Sequence, residues 1–137
     1  MVSSIKSAIV LKLKEMFPLI TKRYTDDNVP QNFTKPSFFV SVIDQEYSKR
    51  INNKYKGLVS YDVAYFSDKG TADIKSDCLA MQEILLRGLG TVGAFRTLDK
   101  TARITDDVLH IMFNVSYSEM ISTTETKMQT QETNINN

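Results

Sequence analysis

Two runs of strand-forming residues, separated by a short basic segment, limit what this chain can fold into more than anything else in it. They are Ser37-Phe38-Phe39-Val40-Ser41-Val42-Ile43 and Gly57-Leu58-Val59-Ser60-Tyr61-Asp62-Val63-Ala64-Tyr65-Phe66. Their β-branched and aromatic side chains suit a pleated, half-buried surface. The polar stretch 48–54 between them carries Lys49, Arg50 and Lys54. The pattern predicts a long β-hairpin with apolar arms and a positively charged tip, reached through a proline-bounded loop over residues 29–36. On the second run Val59, Tyr61, Val63 and Tyr65 share one face, while Ser60, Asp62 and Ala64 share the other. That alternation suits a sheet covered by helices on one side.

The flanking segments supply those helices. Ile5, Ile9, Leu13 and Met16 recur at helical spacing and predict a helix over residues 3–17, capped by Ser3 or Ser4 and ended by Pro18. Residues 19–25 read as a short strand in which Ile20, Lys22 and Tyr24 alternate. After a turn at Ser67-Asp68-Lys69-Gly70, Thr71 is placed to cap a second helix over residues 71–89, with Ile74, Cys78, Met81 and Leu85 as its apolar stripe. Gly88 and Gly90 offer the left-handed residue at which helices commonly stop. A closing hairpin follows, with arms at 94–104 and 108–117 and its turn at Thr105-Asp106-Asp107. Leu109, Ile111, Phe113, Val115 and Tyr117 face one way on the last strand; His110, Met112, Asn114 and Ser116 face the other. The expected fold is α+β, two helices on a mostly antiparallel sheet with a long β-hairpin arm, in the order α-β-β-β-α-β-β.

From Ser122 the composition changes. Residues 122–137 are rich in Thr, Gln and Asn and contain only Met128 and Ile135 as large apolar residues, with neither Pro nor Gly. Such a segment cannot bury enough surface to offset its ordering entropy, so it is expected to be ordered only on assembly. The expected organisation is one domain over residues 1–121 and a polar tail over 122–137. A net charge of +1 supplies no bulk field towards DNA or an anionic membrane. No apolar segment has the length of a membrane span. Cys78 is the single cysteine, which excludes an intrachain disulfide. A soluble protein made in a reducing compartment is the expectation.

Catalytic and cofactor chemistry find little to use. His110 is the one histidine and has no nucleophile or third residue in a recognisable pattern, so a strand histidine is the better reading. The pairs Asp26-Asp27 and Asp106-Asp107 lack the spaced ligands of a calcium loop and suit turns. Cys78 falls on an apolar stripe and reads as core. The glycines of residues 88–93 follow a helix where a dinucleotide fingerprint must follow a strand. No catalytic, cofactor or metal site is expected. The tip is different: Tyr47, Lys49, Arg50, Lys54, Tyr55 and Lys56 cluster there. Basic and aromatic residues together can hold nucleic acid, can keep an exposed hairpin from stray pairing, or can anchor a neighbouring subunit. At this net charge nucleic acid ranks last, and the expected interface set is those six residues with Met128 and Ile135 from the tail.

Three local patterns now carry a resemblance. They are the Val29-Pro30…Pro36-Ser37-Phe38-Phe39-Val40 lead-in to a strand, the Tyr61-Asp62-Val63-Ala64-Tyr65-Phe66 strand before the second helix, and the Asp107-Val108-Leu109-His110-Ile111-Met112-Phe113-Asn114-Val115 strand. With the order of elements, they make residues 5–117 resemble the small tail-terminator proteins of tailed phages and phage-tail-like particles. The resemblance implies a structural virion protein and no enzyme. Its subunits would form a ring, typically hexameric, on the head-proximal end of the tail tube. The ring would stop tube growth and offer a surface for head attachment. The implied partners are other copies of the chain, the tail tube protein, head–tail connector or neck proteins, and a sheath where the particle has one. Membranes are not among them, and nucleic acid would only pass through the lumen. The implied location is the virion tail or neck, after assembly in the host bacterial cytoplasm. Another neck subunit, a connector or completion factor, and a small nucleic-acid-binding module are the competing readings.

Overall fold

The computed structural model describes residues 1–25 and 34–120. Its elements are α1 (Val2–Met16), β1 (Lys22–Thr25), β2 (Ser37–Lys49), a single 3₁₀ turn (Ile51–Asn53), β3 (Lys54–Phe66), α2 (Ile74–Gly88), β4 (Thr91–Val92), β5 (Phe95–Thr105) and β6 (Val108–Met120). The strands form one sheet in the order β1-β2-β3-β6-β5-β4. The α+β class and two helices are as expected, and two features differ. A short strand, β4, precedes the last hairpin and pairs with β5 at Thr91↔Arg96 and Val92↔Phe95. The sheet is also mixed, because β1 runs parallel to β2 from Lys22↔Ser37 to Thr25↔Val40. Strand direction leaves no trace in side-chain alternation, so the sequence pattern is silent about it.

Both helices pack on one face of the sheet. α1 contributes Ile5, Ile9 and Leu13, and α2 contributes Cys78, Met81 and Leu85, all buried. Beneath them lie Phe38 and Val40 of β2, Val59, Tyr61, Val63 and Tyr65 of β3, and Leu109, Ile111, Phe113, Val115 and Tyr117 of β6. The two face assignments on β3 and β6 therefore hold. Met16 and Ile74 end their stripes only partly buried, packed against the core edge.

The helix ends differ from their expected forms. α1 begins at Val2 with Met1 in the capping position and no side-chain capping bond, leaving Ser3 and Ser4 exposed in the first turn. α2 begins at Ile74 and not at residue 71, because Asp73 and Ile74 both donate backbone bonds to the Gly70 carbonyl, at 3.0 and 2.9 Å. That turn takes the place of a threonine cap. At the other end, the capping residue is Leu89 at φ −92°, and neither Gly88 nor Gly90 is left-handed. Gly88 serves closeness of approach instead: a Cβ there would lie 2.1 Å from Cε of Met16 on α1. Asp106 and Asp107 make the β5–β6 turn with φ of 51° and 61°, a two-residue turn of left-handed residues that aspartate tolerates.

The expected two-stranded arm is three-stranded. β6 runs on past Tyr117 and pairs with β3 as far as Lys54↔Met120. β2 reaches Lys49, so the tip contracts to Arg50 and the 3₁₀ turn. Along β2 burial gives way to continuous exposure from Ile43 onward, where the strand leaves the helices behind.

Candidate interaction surface

The arm is built on register. Beyond a bulge between Val42 and Asp44, β2 pairs with β3 from Asp44↔Ser60 to Lys49↔Tyr55. β6 pairs with β3 at the same level, from Ser60↔Asn114 to Tyr55↔Glu119. The turn closes with the Arg50 N–H donating to the Lys54 carbonyl at 2.5 Å. Within the turn Asn52 and Asn53 hold φ of 59° and 61°, which the short polar side chain of asparagine tolerates.

Strand alternation gives the arm two unlike faces. The face on the helix side carries Gln45, Tyr47, Lys49, Tyr55, Tyr117 and Glu119 around Gly57. Tyr47 and Tyr55 stack with centroids 5.1 Å apart and planes 9° from parallel. The Tyr47 hydroxyl donates to Glu119 Oε1 at 2.5 Å. That bond to a carboxylate pushes the Tyr47 phenol up to about 12, since losing the proton would set two anions side by side. Gln45 Nε2 donates to the Tyr117 hydroxyl at 3.2 Å. Tyr117 packs against Gly57, where a Cβ would sit 2.2 Å from its Cζ. Met1 with Val2 and Ser3 of α1 borders this face and makes a shallow groove with Gln45, Tyr47, Tyr117 and Glu119. The opposite face is polar and open, with Glu46, Ser48, Lys56 and Ser116 around Leu58.

The six expected interface residues of the tip thus lie at one end of the molecule, but on different sides of it. Tyr47, Lys49 and Tyr55 are on the helix-side face, Lys54 and Lys56 on the open face, and Arg50 at the turn. Met128 and Ile135 lie outside the described residues, as does the tail beyond Met120. Ile51, outside the expected set, is 80% exposed at the apex. An isoleucine among asparagines and lysines was the signal for it. Glu119 and Gln45 were also missed, because their partners come from strands distant in sequence.

The residues considered for chemistry have ordinary roles. His110 Nδ1 lies 2.9 Å from Asp62 Oδ2 on the open face of the sheet body. Cys78 is buried with Sγ 3.8 Å from the Asp107 carbonyl; burial, then the Asp77 and Asp107 carboxylates, raise its thiol pKa. Asp26 and Asp27 lie outside the described residues. Among the described residues no group of three potential metal ligands comes together. No helix among them is long and apolar enough to cross a membrane.

Set beside known proteins, residues 4–127 match the model of a family described as phage tail terminator protein. No curated protein matches the chain. Among the described residues the family match takes in α1 from Ser4, α2, the six strands and the arm, and it continues in sequence as far as residue 127.

Proposed function

The chain belongs to the phage tail terminator family, a family of structural tail proteins, and on that premise we propose that it forms a ring on the head-proximal end of the tail tube. The ring, a hexamer in this reading, ends tube polymerisation and presents the surface to which the head attaches. Its partners are its own copies, the tail tube protein and the neck or connector proteins, met during assembly in the host bacterial cytoplasm. The family match over nearly the whole chain is the observation that carries the proposal. The arm supports it physically. A three-stranded extension with a half-exposed tyrosine stack, exposed lysines and an apolar apex contributes little to a core and offers much to a neighbour.

In this reading the rim of the arm, with Arg50, Ile51 and Lys54, is the part that reaches another component. The double variant Arg50→Glu, Lys54→Glu is expected to keep its folded stability, since exposed charges of this kind contribute at most about 1 kcal/mol. Tails from infections supplied only with that variant are expected to show uncontrolled lengths and a large fall in infectious particles. Normal tail lengths by electron microscopy would remove the rim from the mechanism. A cryo-electron microscopy map of the native particle tests the ring: a single copy, or an open filament, at the tube end would overturn it.

The polar segment beyond the domain is proposed to strap onto a neighbour, with main-chain hydrogen bonds as the main attraction and Met128 and Ile135 as anchors. Its departure point supports this, because β6 ends at Met120 beside Lys54, on the rim itself. Deleting residues 122–137 is expected to leave thermal unfolding of the isolated subunit nearly unchanged while lowering its incorporation into tails. A deletion that unfolds the subunit would assign the segment to the domain.

A further inference from the structure

We infer that the ring closes through its arms: the outer edge of β2 on one copy pairs with the outer edge of β6 on the next, so that the arms join into one continuous barrel around the lumen. This rests on the ring reading above and adds to it the contact, its register and the lining of the channel.

Both edges are bare among the described residues. β1 covers β2 only from Ser37 to Val40, and β5 covers β6 only as far as Val115. Beyond those points Asp44–Lys49 and Ser116–Met120 pair with β3 alone. A regular, uncovered edge is a template for another strand, and the arm has one on each side. The two edges are different, so contacts between copies run head to tail, which is the arrangement that generates rings. Both strands also run towards the tip, so rotation about an axis along the arm brings them together in parallel.

The register of that contact can be read from the backbone. The bond from the Arg50 N–H to the Lys54 carbonyl fixes the antiparallel alternation. The amides and carbonyls of Gln45, Tyr47 and Lys49 therefore point away from β3, as do those of Ser116, Ser118 and Met120 on the far side. In a parallel ladder an outward residue bonds to the two residues that flank its neighbour. Tyr47 would bond to Ser116 and Ser118 of the next copy, level with its Tyr117, and Lys49 to Ser118 and Met120, level with its Glu119. Within one copy these residues already share rows, Tyr47–Gly57–Tyr117 and Lys49–Tyr55–Glu119, so no axial shift is needed. The side chains agree with the backbone: lysine meets glutamate, tyrosine meets tyrosine, and Ser48 meets Ser118.

The helices lie on one side of the sheet, so they form the outside of the ring, and the open face of the arm lines the channel. That face carries Asp44, Glu46, Ser48, Lys54, Lys56 and Ser116 around Leu58, a polar lining in which two carboxylates offset two lysines, suited to water and to passing nucleic acid without holding it. Three strands from each of six copies give a barrel of about eighteen, the size at which porin-like barrels leave an aqueous channel. At about 4.8 Å per strand, with the level rows leaving the strands along the axis, the backbone ring is about 27 Å across.

The test is a cysteine pair, Ser48→Cys with Ser118→Cys, in assembled particles. Within one copy Ser48 and Ser118 flank Lys56 across β3, about 9.5 Å apart by strand spacing and beyond the ~7 Å reach of a disulfide. Any bridge is therefore between copies, and Cys78 is buried out of reach. On mild oxidation the double variant is expected to give a non-reducing gel ladder that climbs to the full ring, while each single variant stays monomeric. Normal tails whose double-variant subunits stay monomeric, or stop at dimers, would overturn the arm pairing and leave the ring reading standing. Charge exchange covers the case in which the cysteines disturb the arm. Lys49→Glu and Glu119→Lys should each lower terminator occupancy on tails several-fold, and the two together should restore it. A double exchange no better than its parents, with rings still present by microscopy, counts against the pairing.

Discussion

Truncating Phe113 to alanine is expected to lower the free energy of unfolding by about 3–5 kcal/mol. Its ring is 2% exposed and lies 6.1 Å, centroid to centroid, from the fully buried ring of Tyr61. Tyr61 in turn donates from its hydroxyl to the Val2 carbonyl at 3.0 Å, which ties the pair to the first turn of α1. Removing the phenyl group leaves a void between the sheet and the helices that cover it. The neighbours on its own face, Ile111 and Val115, are β-branched and stiff, so the site has little means of collapsing. Equilibrium urea unfolding with an unchanged slope measures it. An effect within about half a kcal/mol would mean that the face of β6 is inverted.

Gly57→Ala is expected to cost about 1–3 kcal/mol by overpacking and to loosen the arm before the body. The glycine has ordinary backbone angles, so the penalty is not conformational. It comes from a methyl group placed 2.2 to 2.5 Å from Cζ, Cε1 and the hydroxyl of Tyr117. That ring is nearly buried and accepts the Gln45 bond, so moving it breaks a contact between β2 and β6. Thermal unfolding of the variant should fall, and adding Tyr117→Leu should recover part of the loss. A melting temperature equal to the parent's would show that Tyr117 swings aside freely.

What the sequence made legible is the part of the fold that buries apolar side chains. Val59 to Val63 and Leu109 to Tyr117 alternate because one face of each strand must meet the helices, and on β3 only the small Ala64 is buried on the other face. The stripe Ile5, Ile9, Leu13 is equally direct. The outer half of β2 was not legible as strand: Asp44, Gln45, Glu46, Tyr47 and Ser48 stand outside the core, so no hydrophobic period marks them. The third strand of the arm was hidden for the same reason, Ser118 and Glu119 being polar on both faces. The cluster at the tip could be found as a cluster. Its division between two faces could not, because that depends on a bulge at Ile43 that shifts the register by one residue.

The place of β6 in the sheet bears on how the chain is made. It is the last strand in sequence among the described residues, yet it sits between β3 and β5. A ribosome that has released everything up to Asp107 has delivered both helices and five strands, but no route by which β3 and β5 can join. In that interval β3 presents an unpaired edge thirteen residues long, and the helices have no Leu109, Ile111, Phe113 or Val115 to pack on. Completion of the sheet is therefore expected only once the last described hairpin is available. Stalled or prematurely terminated chains carry the hazard of aggregation. Premature stop codons before Val108 should consequently yield insoluble fragments and not partial domains.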